Sequence, residues 1–165
     1  MTLRFLPEHA LNVRLALNLA VKEAGHLAYS NASLFARQID LSWVKDLTNQ
    51  PEVAEKVEAF VSRFGRLQDQ IGDKLIPRYA ALLGEPQKGL LDHLVFAERM
   101  GLIESAEDFV AARKLRNALV HEYMQDPQIF LESLHAAHEA CKMLFDTVSN
   151  VASALDELGV PESSK

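Results

Sequence analysis

Between Pro51 and Leu75 the apolar residues Val53, Val57, Phe60, Phe64, Leu67, Ile71 and Leu75 recur at steps of three and four, so a helix through them carries one unbroken apolar stripe. Such a stripe is stable only where other helices cover it. The rest of the chain offers those partners. Pro7 suits a first helical turn, and Leu11, Leu15, Leu19 and Ala20 supply the apolar positions of a first helix, whose end around Ser30 to Ser33 the pattern does not fix. A short piece follows at about Leu41 to Leu47, and Pro77 is placed to bend the far end of the long second helix. Gly84, Glu85 and Pro86 break the pattern before a helix of about Gln87 to Met100, which stops at Gly101. Ser105 with Asp108 resembles a capping box and opens a helix reaching Tyr123 or Met124. Asp126 as N-cap and Pro127 start the last long helix, with Phe130, Leu134, Ala137, Cys141, Leu144, Val148 and Val151 as its apolar row.

No stretch alternates strictly between apolar and polar residues with turn signals at both ends, which predicts an all-α fold. The expected assembly is an antiparallel bundle of four long helices with a short accessory helix. With 165 residues, 48% of them apolar, the chain fits one domain over 1–165, and the tail at 160–165 is expected to fray. No apolar run approaches the roughly 18 residues of a transmembrane helix, and the N-terminus lacks the apolar core of a signal peptide. Cys141 is the single cysteine, which excludes an internal disulfide and a cysteine-based zinc cluster. A cytoplasmic protein without membrane contact is the expectation.

Seventeen Lys and Arg against twenty-three Asp and Glu give a net charge of -6, so nucleic acid can bind only through a local basic patch. One segment supplies it. Arg113, Lys114, Arg116, Asn117, His121 and Tyr123 crowd into eleven residues of an otherwise acidic chain. The order of charges also suits a solvated helix, with Glu107 and Asp108 in the first turn and the cations downstream. Asn117 and His121 are one turn apart on one stripe, and Arg116 and Tyr123 share another. Arg116 and His121 are about 140° apart around the axis, so they meet head-on only if the helix ends near His121, long side chains reach around, or a second copy faces the first.

The run Arg116-Asn117-Ala118-Leu119-Val120-His121-Glu122-Tyr123 resembles the Arg-x-x-x-x-His-x-Tyr motif of HEPN-domain proteins, specifically the HepT-like toxins paired with minimal nucleotidyltransferase antitoxins. The stretch from Arg63 to Leu75 is similar to the long second helix of that family, and the likeness extends from about Glu52 to the last helix. The resemblance implies a homodimeric, metal-independent endoribonuclease with its active site between protomers and no cofactor. Arg116 and His121 would then be catalytic, with Asn117, Arg113 and Lys114 binding phosphate. It also implies adenylylation of Tyr123 by the partner nucleotidyltransferase.

Other residues carry competing readings. Arg66, Asp69 and Asp73 lie off the apolar stripe, where they either tether Arg116 at the cleft or form a structural polar face or dimer salt bridges. Trp43 reads as a packing anchor, and His9 and His93 as surface or capping residues. Glu23 with His26 and Glu132 with His135 are two Glu-x-x-His pairs, half the ligand set of a di-metal carboxylate bundle, although Gly25 is a poor choice inside a ligand helix. A third reading is a non-catalytic subunit that uses the Arg116 and His121 pocket to present a nucleotide or other substrate to a nucleotidyltransferase.

Overall fold

The computed structural model describes residues 4–123 and 125–162, and the elements among them are helical. A 3-10 turn at Pro7–His9 leads into α1 (Ala10–Leu34), followed by the short α2 (Leu41–Lys45), a 3-10 turn at Asp46–Asn49, and α3 (Pro51–Asp69). Six residues of π-helix, Gln70–Leu75, connect α3 without a break to α4 (Ile76–Leu82). Then come α5 (Leu90–Arg99), α6 (Ala106–Glu122) and α7 (Pro127–Leu158).

Helix starts and stops follow local chemistry. The Asp40 carboxylate accepts from the Trp43 amide, Ser105 Oγ accepts from the Asp108 amide, and Asp126 Oδ1 accepts from the amides of Gln128 and Ile129. Gly101 and Gly159 take φ of +76° and +77°, the left-handed geometry that closes α5 and α7. The α5 helix is shorter than its sequence pattern predicts. It starts at Leu90, because residues 86–88 lie outside any helix and Gly89, in extended conformation, is the N-cap.

The predicted stripe of the second helix is fully buried at Val57, Phe60, Phe64, Leu67, Ile71 and Leu75. The π-helical turn sits just before Pro77, whose missing N–H leaves the Asp73 carbonyl without its α-helical donor. The expected bend is therefore a local change of helical pitch. Against this rod pack α1 and α6, and α7 lies against both α1 and α6, so the buried side chains form one contiguous core. Among the described residues no helix is long and apolar enough to cross a membrane.

Two expectations are corrected. Leu11, Leu15 and Leu19 do not form the core face of α1; they are 58%, 48% and 46% exposed, while Val13, Ala16, Leu17, Ala20 and Leu27 are buried. The first half of α1 is apolar all round, so periodicity alone does not choose its inner face. Arg14 does. Its side chain is only 7% exposed, and its guanidinium donates to the carbonyls of Val160 (2.6 Å) and Pro161 (3.1 Å) and to Asp156 Oδ1 (2.9 Å). That contact also overturns the frayed tail as far as Pro161, since Val160 is buried and bonded back to the Leu155 carbonyl. Residues 163–165 of the expected tail lie outside the described residues, as does Met124.

The Arg14 contacts generate a test. Arg14→Ala leaves the buried Val160 carbonyl and the part-buried Pro161 carbonyl short of a donor and is expected to cost about 2 kcal/mol. Thermal unfolding followed by circular dichroism should show a Tm lowered by about 4–8 °C for a chain of this size. An unchanged Tm would mean that the C-terminal turn does not hold α1 in place.

Candidate functional site

The α6 segment that concentrates the cations is a regular helix, opened by Ser105 and by the Glu98 carboxylate, which accepts from the Ala106 amide at 3.0 Å. Phe109, Ala112 and Leu119 fix its buried face. This rotation points Arg113 and Arg116 toward α3 and leaves Lys114, Asn117 and His121 exposed.

The contact with α3 is made by glycines and acids. A Cβ placed on Gly65 would lie 2.8 Å from Arg116 Nε and 3.3 Å from its Cδ and Cζ, so only glycine lets the arginine cross the helix there. Having crossed, Arg116 Nη1 donates to Asp69 Oδ1 one turn further along α3, with both side chains about a third exposed, at 35% and 39%. A second pair repeats the arrangement with a weaker bond. Arg113 Nη1 lies 3.8 Å from Asp73 Oδ1, an ionic contact too long for a hydrogen bond, and that nitrogen is buried without an acceptor among the described residues. A Cβ on Gly72 would meet Leu90 Cδ1 and Phe109 Cε1 at 3.3 Å and Arg113 Nη1 at 3.4 Å. Between Gly65 and Gly72 along the chain, the fully buried Gln68 donates Nε2 to the Ala112 carbonyl at 3.0 Å. Since Gly65 meets Arg116 while Gly72 meets Phe109 and Arg113, the two helices run antiparallel along this seam.

The structure thus joins Asp69 to Arg116 and Asp73 to Arg113. Arg66 stays apart from both pairs and donates Nη2 to Ser62 Oγ at 3.2 Å. Arg116 and His121 are not brought together within one chain: α6 is continuous through both, Arg116 leans onto α3, and His121 is exposed. Tyr123, at the end of α6, packs its ring edge-on against Phe130 with centroids 5.2 Å apart. Its hydroxyl is held above the ordinary phenol value, first by burial and then by the nearby negative charge of Glu58.

The remaining sequence candidates are scattered. His93 is buried, not at the surface, and its Nε2 has no partner among the described residues. His9 stands at the N-cap position of α1 without a side-chain cap bond. Trp43 packs partly buried against the core. The Glu-x-x-His pairs do not converge: His26 is exposed on α1, His135 spends Nε2 on the Ile39 carbonyl at 2.8 Å, and no metal-holding group of three or more His, Cys, Asp or Glu occurs among the described residues. Burial pushes the Cys141 thiol up to about 12, so it stays protonated and a poor nucleophile.

Sequence reasoning missed Gly65, Gln68 and Gly72. The available signal was a pair of glycines seven residues apart inside a helix and off its apolar stripe. No protein-family model, no curated protein and no solved structure matches this chain.

Gly65→Ala tests the close approach. Alanine strengthens the helix by about 1 kcal/mol, so Tm should change by no more than about 4 °C. The added methyl should nevertheless push Arg116 away from Asp69, moving the Arg116 Nε–Hε resonance in a nitrogen-proton NMR spectrum. A wild-type resonance in Gly65→Ala would show that Arg116 does not depend on the glycine.

Proposed function

We propose that the chain is a HEPN-type, metal-independent endoribonuclease toxin that works as a homodimer, its helices forming that family's antiparallel bundle of four long helices. The observation carrying this reading is the guanidinium of Arg116, held across Gly65 by Asp69 at a partly exposed position, on the same helix that presents Asn117 and His121 to solvent. Preorganisation of this kind suits a group that stabilises charge in a transition state, because little reorganisation is needed when the charge develops.

RNA carries its own nucleophile. A base removes the 2'-hydroxyl proton, the oxygen attacks phosphorus, and the 5'-oxygen leaves with a proton supplied by an acid, giving a 2',3'-cyclic phosphate and a free 5'-hydroxyl. The His121 imidazole can both accept and donate a proton, and two copies divide the roles of base and acid across a dimer. Arg116 neutralises the additional charge on the phosphorane. The second copy supplies the imidazole that one straight helix cannot bring to its own Arg116. Asn117, Arg113 and Lys114 add phosphate contacts in a chain whose overall charge is unfavourable.

The proposal extends to control by a partner nucleotidyltransferase. Transfer of AMP from ATP to the Tyr123 oxygen, with release of pyrophosphate, would place a phosphodiester anion on the α6 stripe that also carries Arg116 and so compete for its guanidinium.

The expected result is RNA cleavage that survives excess EDTA and leaves 2',3'-cyclic ends. Arg116→Ala and His121→Ala should each lower the rate by at least about 100-fold, with light scattering showing a dimer throughout. Loss of cleavage on chelation, restored by iron or manganese, would overturn the reading. Tight RNA binding without any cleavage would make the chain a binding subunit instead.

A further inference from the structure

Along the α3–α6 seam, next to Arg116, lies a cavity of about 250 Å³ lined by Glu58, Val61, Ser62, Leu119, Val120 and Tyr123. Its walls are aliphatic and aromatic, and Val120 is 62% exposed although it belongs to this apolar lining. Three of its side chains carry polar groups: Glu58, Ser62 and, through its hydroxyl, Tyr123. The Glu58 carboxylate is paired with no cation among the described residues, and the Ser62 hydroxyl accepts from Arg66. The antiparallel seam orders these groups: Arg66 and Arg116 stand beyond one end of the cavity, and Glu58 faces Tyr123 at the other.

We propose that this cavity is a guanine site, which seats the base of a nucleotide whose phosphate is held by Arg116 and Arg66. The inference rests on the ribonuclease reading and adds to it the identity of a neighbouring base. The volume falls below the roughly 300–1,000 Å³ of sites that enclose drug-sized ligands, and suits one planar heterocycle. Flat apolar walls with one aromatic ring are the surfaces on which unstacked RNA bases settle. A rise of about 6 Å, just over one helical turn, separates Arg116 from Val120, a span that a single nucleotide bridges between phosphate and base.

Charge complementarity selects the base. A carboxylate only accepts hydrogen bonds, and it accepts best from two donors side by side. Guanine alone presents that edge, through N1–H and the N2 amino group. Adenine and cytosine place an accepting ring nitrogen next to the amino group, and uracil has one N–H between two carbonyls. Each of these sets a lone pair against Glu58. Ser62, whose oxygen already accepts from Arg66, keeps its own O–H free to donate to the guanine carbonyl or to the phosphate.

The test is calorimetric binding of the 3'-monophosphates of guanosine, adenosine, cytidine and uridine to the full chain, run beside cleavage of guanine-containing and guanine-free RNA in EDTA. Guanosine 3'-monophosphate should bind at least about tenfold more tightly than the other three. Glu58→Gln should bring the four to within about twofold. Val120→Trp should fill the cavity and abolish base-dependent binding while melting temperature and oligomeric state stay as in the wild type. Equal binding of all four nucleotides would overturn the guanine site, as would a guanine preference unchanged in both variants. Dissociation of a wild-type dimer by Val120→Trp would assign the cavity to a second copy of the chain and likewise overturn it. Guanine preference without cleavage of any RNA would leave the guanine site standing and remove the nuclease; cleavage without guanine preference would do the reverse.

Discussion

The approach of α6 to α3 at Gly65 governs what the polar half of this molecule can do. An arginine side chain lying over a helix backbone needs a residue without a Cβ, and Gly65 provides it where Arg116 crosses. The crossing brings the guanidinium to Asp69, so a long flexible cation is confined without being buried. Gly72 and Asp73 accommodate Arg113 one step along the seam, and the buried Gln68 amide ties the intervening α3 backbone to the Ala112 carbonyl. Replacing either glycine with a larger residue would push the helices apart or expel the arginine, and both outcomes unmake the same site.

The π-helical segment belongs to this geometry. Gln70–Leu75 begins directly after Asp69 and ends just before Ile76 and Pro77, and it contains Gly72 and Asp73 themselves. An extra residue in one turn rotates all that follows, so the residues before and after it present different faces to the same neighbours. The buried stripe from Val57 to Leu75 nevertheless remains continuous. The core thus tolerates a change of pitch that the polar seam exploits, because side-chain packing depends on which residues face inward and not on the hydrogen-bond ladder that places them there.

Charge explains why the seam stands out. In a chain with net charge -6, Arg116 is matched by Asp69 of α3 and Arg113 by Asp73 of the π-helical segment that continues it, while Lys114 is exposed. An anion approaching the seam meets guanidinium groups whose partners are themselves partly exposed to water, so Asp69 and Asp73 orient the cations and only partly neutralise them. The apolar cavity beside them adds a surface with no charge to satisfy except Glu58. Cation, carboxylate and apolar wall thus lie within about two helical turns of one another along the seam.

The sequence alone determined the elements whose signals are local: the helix starts at Ser105 and Asp126, the stop at Gly101, the stripe of α3, and the crowding of cations on α6. Each is a contest among neighbours a few residues apart, settled by caps, positive φ or side-chain periodicity. Tertiary structure decided the rest. Which face of α1 lies inward depends on Arg14 meeting carbonyls nearly 150 residues away, because apolar residues occur on every side of that helix. The partners of Arg116 and Arg113 depend on how closely two helices approach, which glycines permit but do not announce. Spacing along one helix fixes the angle between Arg116 and His121; what each side chain then touches is set by the packing of α6 on α3, where burial of Phe109, Ala112 and Leu119 outweighs every polar preference on its surface.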